Sequence, residues 1–245
     1  ANERLKELDQ LKNEFISTVT HELRTPLTSV RALAEIIQKS PDLDAEKHHK
    51  FVGIIIKESE RLSRLINDVL DFQKIESGQI HWQMTRLDFR EVIEDSVFST
   101  GQLIEEKKIA LMLDISKKPG FVSGDKDRLI QVMVNLISNA VKFCDPDNGR
   151  IKVGMRVVTD KTGDNKNRYL KVWVKDNGIG IGKDDQEIVF QEFRQVISRS
   201  KGRPGGTGVG LTITKHIIDS HDGRIWVDSE LNKGATFFFK LPLVD

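Results

Sequence analysis

An imidazole, a carboxylate and a hydroxyl stand close together in the run Ser17-Thr18-Val19-Thr20-His21-Glu22-Leu23-Arg24-Thr25-Pro26-Leu27. A neutral imidazole is a nucleophile, and a neighbouring carboxylate can hold the proton on the other ring nitrogen and stabilise the developing positive charge. Glu22 is placed for that role beside His21, and Thr25 lies one helical turn beyond. Pro26 removes one backbone hydrogen bond and clashes with the carbonyl of Glu22, which predicts a kink beside the histidine. The other five histidines, His48, His49, His81, His216 and His221, lack such company and read as surface residues.

A second set of reactive groups lies farther along. Asn135, Asn139 and Lys142 fall at i, i+4 and i+7 of an otherwise apolar helical run that ends in Phe143. An amide oxygen suits magnesium, and a lysine suits phosphate, so two amides and an ammonium on one face point to a ligand, although a plain polar outer face has the same pattern. Asp176-Asn177-Gly178-Ile179-Gly180-Ile181 follows a strand-like run. Its glycines allow positive φ and close approach of a flat ligand, and its carboxylate can accept from an exocyclic amine such as that of adenine. Gly205-Gly206-Thr207-Gly208-Val209-Gly210-Leu211 opens a helix whose free backbone amides can receive phosphate oxygens. Between Phe193 and this loop, Arg194, Arg199, Lys201 and Arg203 read as a basic lid over a triphosphate.

Two kinds of element must position these groups. Residues 1–78 read as a pair of long amphipathic helices broken at Ser40-Pro41-Asp42-Leu43-Asp44. On the first helix the apolar stripe centres near Phe15, Val19, Pro26 and Val30, and His21 falls roughly 190° from it, facing outward with Glu14, Ser17, Thr25 and Thr28. Two such helices enclose little core, so a dimeric four-helix bundle is expected. After Glu76-Ser77-Gly78 the period changes, and residues 79–245 alternate strand candidates at 80–86, 108–115, 149–158, 168–176, 223–230 and 235–242 with helix candidates at 88–106, 126–143, 184–192 and 209–221. The predicted fold is an all-α hairpin followed by an α/β two-layer sandwich, a mixed sheet with helices on one face. Residues 160–167 read as a polar hairpin tip.

His-Glu-Leu-Arg-Thr-Pro-Leu at 21–27 resembles the phosphoacceptor box of the sensor histidine kinases of two-component signalling. The later segments, in their order, resemble the asparagine, first glycine, phenylalanine and second glycine boxes of the ATP-binding fold shared by gyrase, MutL and those kinases. The resemblance implies an autophosphorylated His21 assisted by Glu22, with Thr25 linked to regulator dephosphorylation. It implies Asn139 on magnesium, Asn135 and Lys142 near phosphate, Phe143 against the base and Asp176 at the adenine amine. Gly178, Gly180 and Ile181 belong to the first glycine box, and Gly206, Thr207, Gly208, Val209, Gly210 and Leu211 to the second. Phe190 and Phe193 fit the phenylalanine box, and Gly234-Ala235-Thr236-Phe237 resembles a late strand in which Thr236 lies near adenine. ATP-hydrolysing members of that fold carry a glutamate base where this chain has Asn135, and an amide is a poor general base. The expected activity is therefore ATP- and magnesium-dependent phosphorylation of His21 in a homodimer, followed by transfer to an aspartate of a response-regulator receiver domain. A module working chiefly as regulator phosphatase fits the same residues, whereas a non-catalytic scaffold would be expected to lack His21, Asn139 or Asp176.

Bulk composition is permissive. A formal net charge of +1 over 245 residues gives no reason to propose nucleic acid or an acidic membrane as partner. The single cysteine, Cys144, cannot form an internal disulfide and fits a reducing cytoplasmic compartment. No apolar run of about 18 residues appears, so no membrane contact by this segment is expected. The chain starts inside helical sequence with no capping signal, as expected of a cut from something longer, such as the cytosolic part of a membrane-bound sensor.

Overall fold

The computed structural model describes residues 2–40, 42–159, 168–191 and 209–244. The hairpin tip at 160–167, the lid candidates 194–203, Phe193 and Gly206–Gly208 lie outside the described residues, as do the side chains of Glu14 and Phe15. The chain divides into two compact units, a helical one to Gln79 and an α/β one from Ile80.

In the helical unit, α1 (Asn2–Lys39) runs through Pro26 without ending. Val19 and Pro26 are buried while His21 and Thr25 are exposed, as the apolar stripe requires. The second helix, α2 (Ala45–Glu76), begins where the Asp44 carboxylate accepts from the Lys47 amide at 2.8 Å. It stops at Gly78, whose φ of 66° allows the Gln79 amide to reach Lys74 O and its own amide to reach Ile75 O, each at 3.0 Å. Ile16, Leu27, Ile36, Ile56, Ile66 and Leu70 remain exposed on the pair.

The α/β unit holds β1 (Thr85–Asp88), α3 (Phe89–Glu106), β2 (Ala110–Ile115), β3 (Phe121–Gly124), α4 (Lys126–Phe143), β4 (Arg150–Thr159), β5 (Arg168–Asp176), α5 (Lys183–Gln186), α6 (Val209–Ser220), β6 (Arg224–Glu230) and β7 (Gly234–Pro242). Five strands form one sheet in the order β2-β4-β5-β7-β6, parallel between β2 and β4 and antiparallel elsewhere. Strands β1 and β3 make a separate antiparallel ribbon. One face of the large sheet supplies Ile151, Val153, Met155, Leu170, Val172, Val174, Phe237 and Phe239, all buried in the layer shared with α3, α4 and α6.

Three expectations need correction. The strand expected at 80–86 starts only at Thr85, because the Gln83 amide is spent on the Asp125 carboxylate at 3.0 Å instead of on a ladder. Strand β3 was not anticipated, being too short to show a period. The helix expected over 184–192 is a single turn, Lys183–Gln186, whose N-cap is Gly182 with no side-chain hydrogen bond.

Candidate functional site

His21 is exposed on α1, and the Thr25 hydroxyl donates to the His21 carbonyl at 3.2 Å. Proline at 26 brings no amide to the carbonyl of Glu22. Glu22, half-buried, accepts from the Arg61 guanidinium of α2 at 2.9 Å, and Arg61 also lies 3.7 Å from Glu58. The carboxylate expected to serve the imidazole is therefore held by the second helix.

In the α/β unit, α4 starts at Asp125, whose carboxylate accepts from the Arg128 amide, and buries Leu129, Val132, Met133, Leu136, Ile137, Ala140 and Val141. That packing leaves Asn135, Asn139, Lys142 and Phe143 half-buried on the remaining face. The Asn135 amide donates to Gly210 O at 3.3 Å, and Thr214 donates to the same carbonyl at 2.8 Å, which fixes the start of α6 against α4. A side chain at Gly210 would begin 3.7 Å from Asn135. Leu211 lies half-buried in this first turn and Val209 is buried before it. The Lys142 ammonium sits 4.9 Å from the centre of the Phe143 ring.

Asp176 ends β5 at 5 % exposure. Its Oδ1 accepts from the amides of Gly178 at 2.8 Å and Ala235 at 3.3 Å. Burial pushes its carboxyl pKa up, while the amides of Gly178, Ala235 and Asp176 itself oppose that shift. Around it the chain closes too tightly for side chains. A Cβ at Gly178 would lie 1.9 Å from Phe143 O, one at Gly180 2.0 Å from Glu230 O, and one at Gly234 2.1 Å from Asp176 O. Gly180 and Gly234 also adopt φ of 67° and 91°. The Ile179 amide reaches Phe143 O, and the Ile179 carbonyl accepts from Asn232, so the loop is stitched both to the end of α4 and to the β6–β7 turn.

Thr236 stands apart from this cluster. It pairs with Lys175 and Asp228 and has the parity of the outward-facing Phe238, whereas Ala235, Phe237 and Phe239 are buried. The residue of this strand that touches Asp176 is Ala235, through its amide. Phe190 is buried edge-on to Phe237 with ring centres 6.0 Å apart.

Several supporting residues escape sequence reasoning. Ser229 accepts from the Ile181 amide and donates to Gly234 O, both at 2.8 Å, and Gln186 donates to Ser229 O at 2.7 Å. They are ordinary polar residues that become neighbours only when β6 folds back. Asn177, for which the sequence suggested no role of its own, accepts from Arg150 N and donates to Asn148 O through its side chain. His221 is a plain correction, since it is buried, donates from Nδ1 to Ile217 O at 2.7 Å and accepts at Nε2 from the Asp125 amide at 2.9 Å. Trp82 packs edge-on to it at 5.6 Å.

A helical hairpin that exposes His21 beside Glu22 and Thr25, joined to a two-layer unit with an aspartate set in a glycine cradle, fits the catalytic core of a kinase that works on histidine. Comparison with known proteins agrees. Residues 11–78 match the His Kinase A (phospho-acceptor) domain, and residues 124–245 match the family of histidine kinase-, DNA gyrase B- and HSP90-like ATPases. The chain is 34% identical to the signal transduction histidine-protein kinase BarA of Escherichia coli K12, covering 99% of this chain and 26% of BarA. It is 33% identical to the sensor histidine kinase WalK of Bacillus subtilis, over 97% of this chain and 38% of WalK. Among solved structures, the Acinetobacter baumannii histidine kinase AdeS superposes with a TM-score of 0.68 at 25% identity, over 92% of this chain and 98% of that one. Full-length ShkA in complex with AMPPNP gives 0.66 at 26% identity, over 96% of this chain and 46% of that one. The chain belongs to the sensor histidine kinases of two-component systems. It spans roughly a quarter to two fifths of the length of the curated relatives it matches. No helix among the described residues is long and apolar enough to cross a membrane.

Proposed function

We propose that this chain binds ATP with magnesium in its α/β unit, phosphorylates its own His21, and passes the phosphoryl group to an aspartate of a response-regulator receiver domain. The observation that carries the reading is Asn135. The residue on α4 that faces the start of α6 is an amide held to Gly210 O, so the nucleotide site has no carboxylate there to activate water, and the exposed His21 is the nucleophile left to accept the phosphoryl group.

The carboxylate of Asp176 fits an amino group, and glycine at 178, 180 and 234 lets the surrounding backbone pack closely enough to hold that carboxylate in place. Asn139 would hold magnesium, which would draw the phosphates together and offset their charge, and Lys142 would contact a phosphate. The His21 ring nitrogen forms the new bond to phosphorus as the bond to the bridging oxygen breaks and ADP departs. Glu22 takes the proton from the other ring nitrogen or shares it through a hydrogen bond, which requires its pairing with Arg61 to loosen. The exposed apolar residues on α1 and α2 support assembly as a homodimeric four-helix bundle. One solved relative, the histidine kinase ThkA in complex with response regulator protein TrrA, aligns over 99% of this chain and 64% of that one at a TM-score of 0.66 and 25% identity, which supports a receiver domain as partner. Thr25, exposed one turn from His21, would position a water for regulator dephosphorylation.

Incubation of the purified chain with γ-labelled ATP and magnesium tests the proposal. Label lost in acid, stable in base and absent from His21→Ala is the expected result. Label that persists in His21→Ala, or free phosphate released at a rate indifferent to that substitution, would overturn it.

A further inference from the structure

The face of the five-stranded sheet that carries Phe238 is organised in rows across the strands. The register sets Gly154, Trp173, Phe238 and Trp226 side by side across β4, β5, β7 and β6. Beside them runs a row of four cations, Arg156, Lys171, Lys240 and Arg224, one from each strand. All three aromatic residues of the first row are partly accessible, whereas the opposite face of the same strands is mostly buried.

The rows are built into one surface. A Cβ at Gly154 would lie 2.2 Å from the Trp173 ring, so glycine there gives the indole its place on the strand. Trp226 and Phe238 stack at 5.4 Å with planes 13° apart, and the Lys171 ammonium lies 4.3 Å from the Phe238 centre and 5.4 Å from that of Trp226. Lys240 lies 4.4 Å from the centre of Tyr169. Asp114 pairs with Lys152 and Arg156, and no carboxylate among the described residues pairs with Lys171, Lys240 or Arg224. The chain as a whole is near neutral, so this row is a local concentration of charge.

The geometry selects among anions. Two ring faces are taken up by each other and by Lys171, leaving ring edges, which are electropositive, and cations to meet a partner. Nucleobases need open ring faces for stacking and are poorly served. Neighbouring strands are about 4.8 Å apart, so the four cations span about 15 Å at a repeat close to the roughly 5–6 Å between i and i+3 or i+4 side chains of a helix. We propose that this outer sheet face docks an acidic amphipathic helix of a partner protein, its carboxylates on Arg156, Lys171, Lys240 and Arg224 and its apolar side chains over Trp173, Phe238 and Trp226. This surface is separate from the cradle of Asp176, whose side chain is buried in the helix-covered layer.

Three fluorescent helical peptides sharing one apolar face, with Glu, Gln or Lys along the polar face, would be titrated with the whole chain and followed by anisotropy. The Glu peptide is expected to bind at least about tenfold more tightly than the Lys peptide, with the gap closing as salt rises. The double variant Lys171→Glu/Lys240→Glu is expected to invert that order while ATP affinity stays unchanged. Should that variant fail to fold, Arg224→Glu, exposed at the sheet edge, is expected to weaken the Glu peptide in the same sense. Equal binding of all three peptides, no binding, an order unmoved by the substitutions, or tighter binding of a single-stranded oligonucleotide or phosphatidylserine vesicles would each overturn the proposal.

Discussion

At the scale of single residues, Asp176 is set against its own surroundings. Burial favours its neutral form, while the amides of Gly178 and Ala235 favour its charge, and the net effect is a raised pKa. A carboxyl whose folded pKa lies above its unfolded value contributes stability that is present below about pH 3.8 and is lost as pH rises through the folded value. Asp176→Asn removes that loss at neutral pH, and its amide oxygen can keep both backbone donors. The amide nitrogen would then face the ligand's amino group, donor against donor. The expected outcome is a thermal midpoint equal to or above that of the parent, with ATP affinity reduced about 100-fold by calorimetric titration, the scale of a buried unmatched polar contact. A fall in both quantities would show Asp176 to be structural. His221 titrates in the opposite sense, since burial lowers its pKa and its Nε2 must stay unprotonated to accept from Asp125. The unfolded chain binds that proton more readily, so parent stability falls as pH drops from about 6.5 toward the folded value. His221→Gln, which cannot take a charge, should flatten this part of the pH profile.

At the scale of elements, sequence legibility followed the reach of the forces involved. Helix α4 is found at its expected bounds because its cap, Asp125, and its apolar period are local. Gly78 ends α2 by a motif contained within a few residues. Strand β3 and the shortened α5 were missed because four-residue elements owe their form to partners, here β1 and the β6–β7 region, which no local pattern announces. The aspartate, amide and glycine positions of the proposed nucleotide site were legible as residue types. The parity that turns Ala235 toward Asp176 and Thr236 away from it comes from strand pairing, and the long-range bonds of His221 and Ser229 come from the fold. Helix α2 carries a testable local conflict. Asp68 is pushed up to about 6 by burial first and by Asp71 second, with Arg64 opposing. Its contribution is favourable below about pH 3.8 and is lost as pH rises through about 6. Asp68→Asn is expected to raise stability above pH 6, by about 3 kcal/mol at most, and to leave it unchanged below pH 4. Denaturant midpoints at the two pH values would decide it, equal shifts at both pointing to a contact effect instead of a charge.

At the scale of the whole molecule, the two units have unequal means of stability. The α/β unit encloses a core in which Phe89, Ile93, Met133, Leu136, Val172, Ile213 and Phe239 are fully buried. Among the described side chains of the helical unit, only Val19, Pro26 and Phe72 are buried, while six large apolar residues stay exposed. A pair of helices with so small an interior gains most from a second copy, whereas the sheet unit is self-sufficient. Stability that depends on association rises with protein concentration, and a ligand raises only the transition of the unit that binds it. Scanning calorimetry should therefore show two transitions. One should move upward when the chain is concentrated tenfold, and the other should stay fixed with concentration but move upward with ATP and magnesium. Asp176→Asn should abolish the nucleotide shift and spare the concentration shift, while Leu70→Glu on α2 should do the reverse. A single transition that answers equally to concentration and nucleotide would mean that the phosphoacceptor helices and the nucleotide unit melt as one cooperative body, and the division of labour between them would have to be abandoned.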